Sequence, residues 1–283
     1  KLTIFSWSLY DFANQPFTTL IVTFIYGTFF TQVIADNEIV GTLLWSRGIT
    51  ITALIVAFLS PIMGAIADNG GYRKLYLMLW TWVSISGALL LWFPVEGQVI
   101  FALTAFIIGN VGFEMGSVFC NAFLPEIAPK EKIGRVSGYG WSFGYVGGLI
   151  ALALGLILFI NPEIPIFNLD KSAHEHIRGT NIMVAIWFAV FSIPTFLFVK
   201  EKQHEIKRNK NLIVDSIKQI IETFRNVREY RDMTRFLIAR LIYNDGLITI
   251  FAFGGIYAAG TFNFTIQEIM IFAIVLNVAA GMG

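Results

Sequence analysis

Apolar residues run along the chain in long blocks separated by short polar stretches, at 4–35, 43–67, 75–95, 99–124, 137–160, 181–199 and 236–262, with an eighth block from 268 onward. An α-helix rises about 1.5 Å per residue, so a hydrocarbon core of about 30 Å takes roughly 20 residues. All eight blocks meet or approach that length. A backbone inside a bilayer has to satisfy its own hydrogen bonds, and long Leu, Ile, Phe, Val and Ala runs do so as helices rather than as short barrel strands. The pattern predicts an all-α, polytopic membrane helix bundle.

Basic residues fix the expected orientation. Lys1, Arg73, Lys74, Lys130, Lys132, Arg135 and ten Lys or Arg between Lys200 and Arg235 fall on one side, while the opposite side holds Lys171 and Arg178. Arg47 and Arg240 lie within spans. The amino terminus is therefore expected in the cytoplasm of a cell with an inner membrane, and six spans return the chain there. Three regions follow: a six-helix bundle over 1–199, a cytoplasmic linker over 200–234, and the start of a second bundle over 235–283. Within the linker, Ile213, Ile217, Ile220, Phe224 and Val227 recur at helical intervals, which predicts an amphipathic helix along the membrane surface. Four matches at a constant offset of 231 residues agree with a duplicated half: Asn14, Thr18, Ile25 and Tyr26 against Asp245, Thr249, Ile256 and Tyr257.

Composition sharpens the class. Of 283 residues, 56% are hydrophobic and 14% charged, against about 25% charged in ordinary soluble domains. Net charge of +1 gives no electrostatic case for nucleic acid, and a single cysteine, Cys120, forms no intrachain disulfide. The chain starts at Lys1 and stops inside an apolar segment, so it reads as incomplete.

Two glycine patterns stand out. Gly64-Ala-Ile-Ala-Asp68-Asn-Gly-Gly71-Tyr-Arg73-Lys74 joins the second and third spans. In it Gly64 suits close helix approach, Asp68 suits an Arg or a helix amino terminus, and Gly71 suits a tight turn. Further on, Gly138, Gly140, Gly144, Gly147 and Gly148 give the fifth span a small-residue face for packing. Buried charges are costly in a bilayer and usually face a cavity or a partner. Here they are Asp11, Arg47, Glu114, Arg240 and Asp245. Asp11, Asn14 and Thr18 share one helical stripe, as do Asn110, Glu114 and Asn121. A desolvated carboxylate can carry a proton, which assigns that role to Asp11 or Glu114. Arg240, one turn before Asn244, suits a substrate carboxylate or an acid. Tyr10, Phe17, Trp141 and Tyr243 are candidate aromatic walls. His174-Glu175-His176 reads as a solvated loop, and neither a metal site nor a cofactor is expected.

The 64–74 loop resembles the signature loop of the major facilitator superfamily, with Asn69 and Tyr72 where that family often has Arg. The glycine run resembles its fifth-helix motif, with Tyr145 where antiporters have Pro. The opening Trp7-Ser-Leu-Tyr10-Asp11-Phe12-Ala13-Asn14-Gln-Pro16-Phe17 resembles the vacuole-effluxer (autophagy-related) branch. So do Phe113-Glu114, Leu124-Pro125-Glu126-Ile127-Ala128 and Tyr243-Asn244-Asp245-Gly246.

The resemblance implies a major-facilitator bundle of 12 spans working as a secondary transporter, with amino acids as the leading solute class. It also implies a central cavity lined by the first, fourth, seventh and tenth spans. Asp11, Asn14, Asn110, Glu114, Arg240, Asp245, Tyr10 and Tyr243 would serve the solute or proton path. Gly64, Asp68, Gly71, Arg73 and Lys74 would form a gating loop, and Gly140, Gly144, Gly147 and Gly148 would pack helices. Expected partners are a small solute, protons and the lipid bilayer, with the protein a monomer. The alternative is a non-transporting receptor or scaffold on the same fold. No Ser/His/Asp set, paired intramembrane acids or metal cluster supports an enzyme.

Overall fold

The computed structural model describes residues 1–201, 218, 221, 222 and 231–282, and among these the regular structure is helical throughout. The amphipathic helix expected over 213–227 lies almost wholly outside the described residues. Among the described residues, six helices are long and apolar enough to cross a membrane: Leu2–Ile34, Glu38–Asp68, Val99–Ile127, Lys130–Ile160, Glu175–Phe198 and Arg231–Phe262.

The first crossing is not a uniform helix. α1 (Leu2–Pro16) runs into a π-helical stretch, Phe17–Phe24, then a short α2 (Tyr26–Phe29) and a second π stretch, Phe30–Ile34. Proline has no N–H to donate and crowds the preceding turn, so helices bend or widen near it. After Pro16, the Ile25 N–H reaches back five residues to the Leu20 carbonyl at 2.9 Å. α3 (Glu38–Gly70) starts on Asn37, whose side chain accepts from the Val40 N–H, and ends where Gly71 adopts φ 69°. That left-handed turn is cheap only for glycine.

α4 (Arg73–Leu90) ends five residues earlier than the apolar block, because Pro94 and Gly97 at φ 81° turn the chain. α5 (Val99–Ala122), α6 (Leu124–Ile127) and α7 (Ile133–Gly155, continuing as π-helix Leu156–Ile160) follow. α8 (Glu175–Phe198) starts six residues before the apolar block at 181, since Arg178 and Thr180 fold into its first turns as buried polar residues. α9 (Arg231–Phe262) and α10 (Ile266–Met282) complete the chain.

α1 is the axis of the first bundle. The Trp7 indole donates to the Cys120 carbonyl on α5 at 2.8 Å, and the Tyr10 hydroxyl meets Thr81 on α4 at 2.8 Å. From α8, Trp187 donates to the Phe12 carbonyl at 2.9 Å and Thr195 to the Ser6 carbonyl at 2.6 Å. Each bond removes a polar group from an apolar interior, where leaving it unpaired would cost about 1–3 kcal/mol. α4 and α5 cross at glycine: Gly87 stands against the Gly109 backbone, and a Cβ on Gly112 would lie 2.9 Å from Ser84 Cα. α10 packs along α7, with Met270 at Gly155 and Asn277 at Gly148, whereas α9 touches the first bundle at one end only. The buried residues of α9 run from Ala252 to Ala259, whereas residues 231–251 hold none.

Candidate functional site

Four residues of the first crossing, Asp11, Gln15, Thr19 and Thr23, recur every four positions and so share one face. Opposite them α7 presents Gly140, Gly144 and Gly148 at the same spacing. A Cβ on Gly140 would meet the Asp11 carboxylate and lie 3.0 Å from the Trp7 ring. One on Gly144 would be 3.4 Å from Gln15 Oε1, and one on Gly148 3.1 Å from Thr19 Oγ1. Gly147, on the flank, backs onto the Phe12 carbonyl, with Phe12 Cα 3.0 Å from its would-be Cβ. The glycines therefore admit α1 at backbone distance, and its polar side chains fill the space that α7 leaves free.

This polar face opens into a cavity of about 220 Å³ lined by Gln15, Thr18, Thr19, Thr23, Phe24, Phe113, Trp141, Tyr145, Phe251 and Asn277. α10 supplies Asn277, close to Gly148, and α9 supplies Phe251, so both halves of the chain contribute walls. Carboxamides and hydroxyls give donors and acceptors, and the aromatic rings give flat apolar surfaces. Phe113 is held by a parallel stack on Phe17 with centroids 5.5 Å apart. At the end opposite the 64–74 loop, Gly255 of α9 packs on the backbone of Thr23 and Phe24, and the Glu38 carboxylate lies against Gly260.

The expected pathway residues divide among different surroundings. Asp11 sits one turn from Gln15, against Gly140, with no hydrogen bond or ion pair among the described residues. Glu114 is exposed on α5 beside the cavity ring Phe113. Asn14 and Asn110 are buried within the first bundle at 4% and 6% exposure, so of the expected Asp11–Asn14–Thr18 stripe Thr18 lines the cavity, and Gln15 takes the place expected of Asn14. Tyr10 is fully buried and bonded to Thr81, an interior post rather than a wall. Phe17 is likewise fully buried, whereas Trp141 does line the cavity. Arg240, Tyr243 and Asp245 stand on the exposed stretch of α9, apart from Asp11 and Glu114.

At the other end of the bundle the 64–74 loop is knitted by charge. Arg73 Nε donates to Asp68 at 2.6 Å, and its Nη1 pairs with Glu126 beyond α5. Glu201 accepts from the backbone N–H groups of Arg73 at 2.9 Å and Lys74 at 3.2 Å, which places an anion at the α4 amino terminus. Gly64 has open space around it, so it is not a close-approach point. His174 stacks on His176 and meets Phe29 at a tilt, and no group of three metal-ligating side chains occurs among the described residues.

Known proteins resemble this chain along most of its length. It is 26% identical over 257 residues to the uncharacterized MFS-type transporter YxiO of Bacillus subtilis, covering 90% of this chain and 59% of that protein. Autophagy-related protein 22 of Kluyveromyces lactis is 22% identical over 263 residues, covering 84% of this chain and 51% of the relative. The chain thus spans between half and three-fifths of the length of these relatives. In fold it matches the Escherichia coli xylose transporter XylE in a partially occluded inward-open conformation, with a TM-score of 0.65 at 14% identity over 99% of this chain and 70% of that one. The architecture is accordingly that of a multi-pass, major-facilitator-type membrane bundle. The family described as "Vacuole effluxer Atg22 like" matches residues 42–135 and 129–283, and the chain belongs to that family.

Proposed function

We propose that the protein is a secondary transporter that carries a small solute across the cell membrane by alternating access, with its amino terminus in the cytoplasm. The observation that carries this reading is the cavity between the two halves, walled by Gln15, Thr19, Thr23 and Asn277 together with Trp141 and Tyr145, and pinched at one end by Gly255. A largely apolar chamber with a few carboxamide and hydroxyl groups, beside packed glycines, suits a bundle that rocks about a solute. The halves would be 1–199 and the segment from 235, joined by a linker over 200–234. Amino acids lead the solute classes, because relatives include autophagy-related protein 22 of the vacuole effluxer family. Asp11 or Glu114 would carry the coupling proton.

The test reconstitutes the full-length protein in vesicles and follows efflux of labelled amino acids, sugars and peptides. Transport of a member of the panel is expected, and Gln15→Ala and Asn277→Ala should reduce it while leaving thermal stability intact. Solute-dependent stabilisation without any flux would instead identify a receptor. In the same vesicles, Asp11→Asn or Glu114→Gln should uncouple solute movement from proton flux, and unchanged coupling in both would remove the proton role.

A further inference from the structure

The few polar atoms of the chamber between the halves are mostly oxygens. On α10 the Asn277 amide nitrogen donates to the Ala273 carbonyl at 2.9 Å, which leaves its Oδ1 facing α7, 3.9 Å from the position a Cβ on Gly148 would take. Thr19 Oγ1 lies 3.1 Å from that same position, and Gln15 Oε1 is 3.4 Å from the corresponding position on Gly144. None of these three oxygens has a hydrogen-bond partner among the described residues. Thr18, also in the wall, keeps its hydroxyl buried and unpartnered. Flat rings complete the lining. Trp141 and Tyr145 stand 6.3 Å apart at 40°, and Phe113 and Phe251 add two more.

The charges nearest along the lining helices are negative. Asp11 is one turn from Gln15, against Gly140, and Glu114 follows the wall residue Phe113 on α5. Neither forms an ion pair among the described residues. The basic residues of the same helices stand farther off, since Lys1, Arg135 and Arg240 are each at least six residues along the helix from a lining position. Building on the transport reading of this chamber, we propose that it recognises a protonated amine, so that its solutes are organic amines held by their ammonium group and not by a carboxylate. An ammonium has three N–H donors and no acceptor, which matches an array of carboxamide and hydroxyl oxygens. It is also drawn to the faces of aromatic rings, more strongly where water is excluded. Carboxylates at the margin add to that attraction. The apolar body of the solute continues into an adjoining cavity of about 340 Å³, which shares Thr23, Phe24, Tyr145, Phe251 and Asn277 with the chamber. Amino acids meet the requirement through their amino group, and amines that lack a carboxylate meet it equally.

Titration calorimetry of the full-length protein in nanodiscs at neutral pH tests this with four probes that share a phenyl ring: phenylethylamine, phenylalanine, N-acetylphenylalanine and phenylpropionate. The two with a free amine should bind. The two without one should bind about tenfold more weakly or worse, the scale of a hydrogen bond to a charged group. Asn277→Leu, which removes the oxygen at similar size, should weaken phenylethylamine by about tenfold. Trp141→Leu should weaken it by about threefold through loss of the ring face. Phe58→Leu, on an exposed face of α3, should leave it unchanged. Melting temperatures verify that each variant is folded. Phenylpropionate binding as tightly as phenylethylamine, no binding of either amine, or affinities unchanged in both Asn277→Leu and Trp141→Leu would overturn the assignment. Amine binding without flux in vesicles would support it while removing the transport reading, and flux of a sugar with no amine bound would do the reverse.

Discussion

Gly147 and Gly138 sit on one helix, yet a methyl group would mean opposite things at the two positions. At Gly147 it would press on the Phe12 backbone, which cannot rotate away, whereas Gly138 has open space. Gly147→Ala should therefore cost about 1–3 kcal/mol by overpacking. Gly138→Ala should be neutral or stabilise by up to about 1 kcal/mol through helix propensity. Melting temperatures of the purified variants would separate the two. The same contrast marks what was legible at this scale. Four-residue spacing was present on both helices, in Asp11–Gln15–Thr19–Thr23 and in Gly140–Gly144–Gly148. The residue-level reading nevertheless selected Asn14, because Asn14 and Gln15 are adjacent and both polar. Which of them faces the cavity depends on the rotation of α1 about its own axis, and that rotation is set by Trp7, Tyr10 and Trp187 contacts with three other helices.

Among elements, the turn between α3 and α4 illustrates how a short motif acts through partners distant in sequence. Its Gly-Asp-Gly-Arg spacing was readable, and Asp68 and Arg73 do pair. Glu201, 128 residues from Arg73, was not readable as part of it, since nothing local marks the residue that caps a helix from elsewhere. Glu126 figured only as part of the Leu124–Ala128 resemblance. The Arg73 fork serves two carboxylates at once, a geometry that an ammonium does not reproduce. Arg73→Lys should thus destabilise the bundle by about 2 kcal/mol, the scale of one charge-assisted hydrogen bond. Glu126→Gln should lose a similar amount, and the double variant should lose less than the sum, which a double-mutant cycle of melting curves would measure. The helices of the long apolar blocks were legible, but the π-helical stretches after Pro16 and after Gly155 were not, because widening by one residue leaves the apolar pattern unchanged.

For the whole molecule, the backbone contact of α9 with the first bundle lies at the end opposite the 64–74 loop, where Gly255 fits against Thr23 and Phe24, while α10 runs along α7 past Gly155 and Gly148. A branched side chain at Gly255 holds α9 away from the first bundle. In a Cys120→Ala background, Gln15→Cys should react with a membrane-impermeant thiol reagent added from the cytoplasmic side. Adding Gly255→Val should open reaction from the other side, and labelling confined to the cytoplasmic side in both would contradict closure at Gly255. The bundle architecture was foreseeable from block length and charge placement, which depend on the bilayer. The contact at Gly255 was not, because it joins backbones more than 200 residues apart through a side chain that glycine lacks.

Trp141 also makes the chamber optically accessible. It is 64% exposed at the cavity, whereas Trp7 and Trp45 are buried at 1% and 0%. Its indole emission should be red-shifted relative to theirs, and a water-soluble quencher should reach it. A solute occupying the chamber would shield it, so the difference spectrum between the protein and Trp141→Phe would give a fluorescence titration of the cavity that needs no attached dye.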